Sequence, residues 1–446
     1  MIGASMAGLA AARVLSDHSE SVTVLDRDVL PAGNAPRRGV PQGAHGHILL
    51  ASGLRELTAL LPGLADELIE AGGTRFDPAA GLCTYRFGRR WPHAVSGLDL
   101  VAISRPQLEL TVRGRVAGLP GVTIRDGITA TGLTGGDGRV TGVVLDTGET
   151  LDADLVVDCS GRGSRSDRWL GALGFPAPEQ VEIKVGVSYS TRLYRRTPDD
   201  LPGWTAVFTL PAPPDERMVA LALPLEGDRW LASVGGWHLD EPPADNAAYE
   251  AAAKSLPDPA MAELIAGAEP LGDVVMHRFP SSRRRHFERL DALPAGYVAL
   301  GDAICSFNPI YGQGMTVAAM EAVALGAAYA RHGAASAAMA RDYYRAAAAL
   351  IATPWQFATG GDFSFPQTTG PRPRGVRFSN WYARQIAYAS QVDPVVNAVF
   401  IAVQQLVTPS SALFRPAFAA RVLKFRRIAA RERSLSPAPG TPSRGD

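Results

Sequence analysis

The stretch that decides the fold runs Ala299-Leu300-Gly301-Asp302-Ala303, then Phe307-Asn308-Pro309-Ile310-Tyr311-Gly312-Gln313-Gly314-Met315. Tyr297-Val298-Ala299-Leu300 reads as a short strand covered on both faces and ended by Gly301. Asp302, just past the strand, can accept hydrogen bonds from the hydroxyls of a ligand. Pro309 breaks the chain, and Gly312 and Gly314 let the backbone approach a flat ring closely. A long helix is expected from 314 to about 331, its positive end aimed at whatever lies above it; for a bound anion that is worth about 0.3–2 kcal/mol. A glycine-rich helix start without a ligand would explain the glycines but not Asp302 at this spacing.

Working outward, the N-terminus carries a second ligand signal, Gly3-Ala4-Ser5-Met6-Ala7-Gly8, followed by a helical run and the strand Val22-Thr23-Val24-Leu25-Asp26. The first glycine permits a tight turn and the last lets the helix pack closely on a sheet. Between them the helix N-terminus faces a pyrophosphate, and Asp26, about 20 residues on, is placed for the hydroxyls of an adenosine ribose. Ser5 stands where a middle glycine is usual, and a glycine-rich turn without a ligand also fits this segment taken alone. The strand that should precede Gly3 is reduced to Met1-Ile2. Two residues are expected to be too few for a central parallel strand, which suggests a start further upstream or a trimmed chain. A third segment, Asp154-Leu155-Val156-Val157-Asp158-Cys159-Ser160-Gly161-Arg162-Gly163-Ser164-Arg165, is a buried strand ending in a small polar turn. An ordinary strand end fits it equally well.

At 446 residues the chain should hold more than one hydrophobic core. A 46% apolar and 20% charged composition is that of a globular enzyme, and zero formal net charge argues against a nucleic-acid groove. Cys83, Cys159 and Cys305 are too few and too far apart for a disulfide framework or a zinc site, which points to a reducing cytoplasm. No apolar run reaches the ~18 residues of a membrane span. Basic residues are nearly all arginine; lysine occurs only at 184, 254 and 424. Residues 49–71 have helical spacing. Residues 83–91 read as a strand pair, and 122–158 as strands turned at Gly136-Asp137-Gly138 and Thr147-Gly148. Further strands fill 180–280, and helices follow to about 433.

The three segments, in this order and at these separations, resemble the p-hydroxybenzoate-hydroxylase-like class A FAD-dependent monooxygenases. The likeness covers about the first 330 residues. It implies an α/β fold: a Rossmann-like FAD domain, a β-sheet substrate domain and a helical C-terminal extension. The boundaries expected are 1–75, 101–175 and 286–330 for the FAD domain, 76–100 and 176–285 for the sheet domain, and 331–433 for the helical region, with a disordered tail at 434–446. The family's glycine motif falls on Gly3, Ser5 and Gly8, and its ribose ligand on Asp26. Its second motif falls on Ser160, Gly161 and Arg165, with serine in place of the usual aspartate, and its third on Gly301, Asp302 and Pro309. Ser104-Arg105-Pro106-Gln107 looks like the helix start whose arginine, Arg105, reaches the cofactor phosphates. Arg38-Gly39-Val40-Pro41-Gln42, with His45 and His47, is similar to the squalene-epoxidase-like and polyether-type bacterial epoxidases, as is the run through Gly312, Gln313, Gly314 and Met315.

The resemblance implies insertion of one oxygen atom from O2, through a flavin C4a-hydroperoxide, into a small lipophilic substrate (a polyene, polyketide or terpenoid of secondary metabolism). NAD(P)H or a separate flavin reductase would supply the electrons. Such chemistry asks for positioning and desolvation more than acid–base groups, and no catalytic residue stands out. An electron-rich alkene needs no base, which favours epoxidation. A phenol hydroxylase, a double-bond reductase of the geranylgeranyl-reductase type and a non-catalytic FAD- or ligand-binding protein are the alternatives. No Trp-x-Trp-x-Ile-Pro run is present, which argues against the flavin halogenases of similar fold. His45, His47, Trp204, Phe208, Trp237 and Tyr311 are candidates to line the substrate site. No metal site is expected, since His45 and His47 lack further ligands nearby. Arg283-Arg284-Arg285-His286 reads as a solvated basic turn, with receipt of a nicotinamide 2′-phosphate as the other reading. The C-terminal helices are expected to pack on the FAD domain, with peripheral membrane contact as the other reading.

Overall fold

The computed structural model describes residues 1–435. The expected tail lies outside them apart from the last two residues of the final helix, Pro416–Leu435. The chain has the expected mixed α/β fold with a helical C-terminal region. Its first layer is a parallel sheet in the order Val122–Arg125, Val22–Leu25, Met1-Ile2, Val156–Asp158, Tyr297–Ala299. Two residues do fill the central place, contrary to expectation. Ile2 and Gly3 donate to Val157 and Leu25 at 2.9 and 2.7 Å, and Leu25 and Cys159 donate back to Met1 and Ile2 at 2.9 Å each. Four backbone bonds are enough because the neighbouring strands are themselves only three and four residues long.

Helices Met6–Ser16 and Gly314–His332 cross on this sheet at Gly326, where an added Cβ would lie 2.0 Å from Val14 Cγ1. The helical run read across 49–71 is two helices, Ala51–Leu60 and Leu64–Glu70. Pro62-Gly63 divides them, with Gly63 at φ +88°. The hairpin between Ala130–Gly136 and Arg139–Leu145 turns at Asp137 (φ +49°) and Gly138 (φ +78°), the backbone a tight two-residue turn requires.

The second layer is an eight-stranded sheet in the order Cys305–Ser306, Val275–Arg285, Gln180–Arg195, Arg229–Trp237, Met218–Leu225, Ala206–Thr209, Leu82–Arg86, Arg89–Arg90. Alternation along its strands separates two faces. Trp230, Ala232, Val234, Ala220 and Ala222 pack beneath helices Asn246–Lys254 and Ala260–Gly267. Tyr189, Trp237, Val219 and Phe279 occupy the other face with Ile310 and Tyr311 of the loop before helix Gly314–His332.

Helix Ala337–Asp362 joins the layers. Met339, Tyr343, Ala347 and Ile351 pack into the core of the first, while Trp355 and the following Phe363 and Phe365 pack on the second. The later helices, Val376–Ser390, Pro394–Gln404 and Pro416–Leu435, share a core with Trp91 and Phe87, and they also meet helix Ala51–Leu60, where Ile401 packs with Ala51 and the Ala51 and Ser52 amides donate to Gln405 at 3.0 and 3.3 Å. No helix among the described residues is long and apolar enough to cross a membrane.

Candidate functional site

The N-terminal turn is built for close approach. Gly3 has φ +108°, and a Cβ there would sit 2.5 Å from the Cys159 carbonyl oxygen. At Gly8 a Cβ would fall 1.8 Å from the Gly3 carbonyl oxygen, so neither position admits a side chain without moving the turn. Asp26 is buried at the end of its strand, accepting from the Ala4 amide at 2.7 Å and the Asp28 amide at 2.9 Å. Ser5, the middle-glycine replacement, donates to Glu109 at 2.9 Å and accepts from Arg105 at 2.6 Å.

Here the structure corrects one arginine. Arg38 is exposed, whereas Arg37 reaches Asp26 (3.1 Å), Asp28 (3.0 Å) and Glu109 (2.7 Å). Burial alone would raise the Glu109 carboxyl, but Arg105 and Arg37 hold it below its ordinary range. The network leaves Arg37 Nη2 and Arg105 Nε buried with no hydrogen-bond partner.

The strand Tyr297–Ala299 delivers the third motif beside this turn. Gly301 (φ +68°) abuts the first turn of helix Met6–Ser16, where a Cβ would lie 2.9 Å from the Ala7 Cβ, and its amide donates to Glu321 at 2.6 Å. Asp302 makes no hydrogen bond among the described residues. Burial raises its carboxyl to about 6, against the opposing charges of Arg162 and Arg105. Gly314 lies next to it, with a Cβ position 3.6 Å from Asp302 Oδ1. The Asn308 side chain accepts from the Ile310 amide at 3.1 Å and so shapes the turn at Pro309. Gly312 (φ +66°) rests against Ile48, Thr316 accepts from the Leu50 amide at 3.1 Å, and the buried Gln313 Oε1 has no partner. Met315 begins the helix and packs on the main core.

The second motif adjoins both. The Ser160 amide lies near Gly3, and the turn Gly161–Gly163 packs on Gly301–Ala303. Ser160 donates through its amide and hydroxyl to Asp158, at 2.9 and 2.5 Å, so this serine completes the shell of a buried carboxylate instead of replacing it. Arg165 is exposed; Arg162 is the anchored arginine, held by Ser281 and Ser306 at 2.6–2.7 Å. Nor is the basic run a solvated turn. It ends the strand Val275–Arg285, and Arg285 is buried, donating to the Ala303 carbonyl at 2.8 Å.

Against this floor the sheet presents a mostly neutral face. His45 Nδ1 meets the Thr191 hydroxyl at 2.8 Å, and Thr191 pairs with Ser233 at 2.5 Å. Tyr189 and His277 stand 4.9 and 5.5 Å from the His45 ring, and Gly46 touches Leu221 and Leu231. Burial with the nearby His277 lowers His45 to about 4; burial and the Arg105 charge lower His47 to about 3, so both rings are neutral near pH 7. No group of metal-ligating side chains occurs among the described residues.

Phe208, Trp237 and Tyr311 do meet, in one cluster with Phe365. Trp204 does not: it stacks on His93 at 3.7 Å and packs with the core on the opposite face of the sheet. Sequence reasoning also missed Asp362, which is fully buried at the centre of that cluster. Its Oδ1 accepts from Asn308 (2.7 Å), Trp237 (2.8 Å) and Tyr311 (3.3 Å), while Oδ2 has no partner. Burial raises this carboxyl to about 7 despite those donors.

Protein Rv3254 of Mycobacterium tuberculosis is 35% identical over 419 residues, spanning 90% of this chain and 88% of that one. The chain belongs to the same family as Rv3254. The tryptophan halogenase profile matches residues 112–168, which hold two strands of the first layer and the three-stranded sheet between them. Among solved structures, the flavin-dependent brominase Bmp2 superposes with a TM-score of 0.68 at 16% identity, covering 98% of both chains. PqsL of Pseudomonas aeruginosa, solved with 2-aminobenzoylacetate, superposes with a TM-score of 0.60 at 19% identity, covering 81% of this chain and 97% of that one. At these identities the likeness is one of fold, shared with the brominase Bmp2 and with PqsL. The residues present fit FAD. Orphaned donors on Arg37 and Arg105 suit its phosphates, and Asp26 suits its ribose. The unpartnered Asp302 suits hydroxyls of the ribityl chain, and Gly312 and Gly314 leave room for its ring.

Proposed function

We propose that this protein is an FAD-dependent monooxygenase that inserts one oxygen atom from O2 into a lipophilic substrate, with alkene epoxidation as its reaction. The observation that carries this reading is the neutral lining of the sheet face turned toward loop 307–315, which would wall a substrate chamber beside the bound cofactor. His45 and His47 are kept uncharged, Tyr189 is held protonated by burial, and Leu221, Leu231, Phe208 and Trp237 supply apolar wall. Asp362, the carboxyl within the apolar cluster of Trp237 and Tyr311, is fully buried and enclosed by its donors Trp237 and Asn308. A chamber of this kind excludes water and orients a substrate but offers no exposed base, which suits an alkene better than a phenol.

When bound and reduced, FAD supplies the activation of O2. The chain's own part is to hold the cofactor through Arg37, Arg105, Asp26 and Asp302 and to keep the chamber dry. NAD(P)H or a partner reductase is the electron source this reading calls for, and a polyene, polyketide or terpenoid the substrate. Turnover under 18O2 with a panel of polyenes and phenols, followed by mass spectrometry, tests it. One 18O atom per epoxidised product is expected. A saturated product without 18O would make the protein a double-bond reductase, and bromine incorporation in bromide buffer would make it a halogenase, the activity of Bmp2. Absence of substrate-dependent flavin bleaching with every reductant would leave only a binding role.

A further inference from the structure

Away from the chamber, a cavity of about 400 Å3 opens on the other side of Arg162. It arises from a break in the sheet. Between Lys184 and Val187 the strand Gln180–Arg195 shifts register against Val275–Arg285, and Gly186 takes φ +52°. A side chain at Gly186 would strike the His238 ring, 2.6 Å away. Lys184 stays paired with Ser281 on one edge, and on the other, beyond the end of strand Arg229–Trp237, it exchanges backbone bonds with Thr369 at 2.8 and 3.3 Å, so the loop after the long C-terminal helix forms one wall. The volume lies in the ~300–1,000 Å3 range of small-ligand pockets.

The charges around the cavity do not balance. Arg162 gives its hydrogen bonds to Ser281 and Ser306, both neutral. Lys184 is exposed and has no ion pair among the described residues. Arg283 shares Glu182 at 3.6 Å and keeps a buried Nε without a partner. Three cations thus face one carboxylate, a local surplus of two positive charges on a chain whose formal net charge is zero. Two guanidinium groups and an exposed ammonium lining one cavity match the oxygens of a phosphate better than a single carboxylate.

We propose that this cleft binds a phosphate-bearing small molecule of about mononucleotide size, at a site separate from the one that holds FAD. The ligand's phosphate takes Lys184 and Arg283, and its remainder lies along the Thr369 wall. Calorimetric titration of the full chain, saturated with FAD so that the FAD phosphate site is filled, tests this with inorganic pyrophosphate as the probe. Binding is expected to weaken at least fivefold in Lys184→Ala and in Arg283→Ala and further in Lys184→Glu. It should be restored in Lys184→Arg, fall with added salt, and be unchanged in the remote Lys254→Ala. Native protein that does not bind pyrophosphate, or binding equal in all five variants, overturns the proposal. Given binding, competition identifies the source. Displacement by NADPH but not NADH assigns the cleft to a 2′-phosphorylated reductant, and displacement by neither assigns it to a phosphate carried by the substrate.

Discussion

Asp302 stands in the fields of Arg162 and Arg105 with no hydrogen-bond partner of its own, and burial lifts its carboxyl to about 6. Hydroxyl donors bind the carboxylate better than the neutral acid, so the cofactor should be held more tightly as this group ionises. FAD affinity is therefore expected to rise from about pH 5 to about pH 7 and then level off, as followed by flavin fluorescence quenching. Asp302→Ala should weaken binding by about 10- to 100-fold, the worth of a charged hydrogen bond. Asp302→Asn should abolish the pH dependence; a native profile flat across this range would remove Asp302 from the cofactor site. Asp302 was legible in the sequence because strand, glycine and aspartate are consecutive and their geometry is local. Arg37 and Arg38 were not separable that way. Both follow Pro36, and only the folded turn decides which one reaches Asp26 and which one faces solvent.

Elements are held at fixed separations by their smallest residues. Gly326 lets helix Gly314–His332 approach helix Met6–Ser16 so closely that one added methyl group would overlap Val14. Gly326→Ala is expected to cost about 1–3 kcal/mol through overpacking, even though alanine is the better helix former. Combining it with Val14→Ala should recover part of that loss, giving a non-additive double-mutant cycle in chemical denaturation. Strict additivity would mean that the two helices do not constrain each other. Helix Gly314–His332 itself was readable from its composition, as was the hairpin at Asp137-Gly138. The run at 49–71 was read as one helix because its apolar spacing continues across the break. Pro62-Gly63 was the signal that divided it. The register shift at Lys184–Val187 had only Gly186 to announce it, and a lone glycine in a strand does not say what gap it opens.

At the scale of the whole molecule, three buried or half-buried carboxyls among the described residues are held above their usual range: Asp302 at about 6, Asp362 at about 7 and Glu321 at about 8. Burial is the leading cause in each. The unfolded chain releases these protons near pH 4, so the native state binds more protons between there and about pH 8. Their contribution to stability is present below about pH 4 and is lost as pH rises through the folded values. Asp362→Asn keeps an acceptor for Trp237, Asn308 and Tyr311 but cannot ionise. Denaturation at about pH 5 and about pH 8 should show a fall in stability for the native protein that is smaller in this variant, by the order of 1–2 kcal/mol. Equal falls in the two proteins would mean that Asp362 does not titrate in this window.

The sequence by itself determined the parts that fit a cofactor: the turn at Gly3 to Gly8, the acid at Asp26, and the loop from Gly301 to Gly314. Each is a short run whose backbone demands are written in consecutive residues. Only the tertiary structure decided what surrounds them. Asp362 meets Asn308 across 54 residues, His45 meets Thr191 across 146, and Arg162 meets Ser281 across 119. Such contacts depend on how sheet faces and helices stack, and no local pattern records which distant side chain will share a wall. Trp204 illustrates the same limit: as an aromatic on the second sheet it resembled Trp237, yet sheet alternation and the helices beneath place the two on opposite faces.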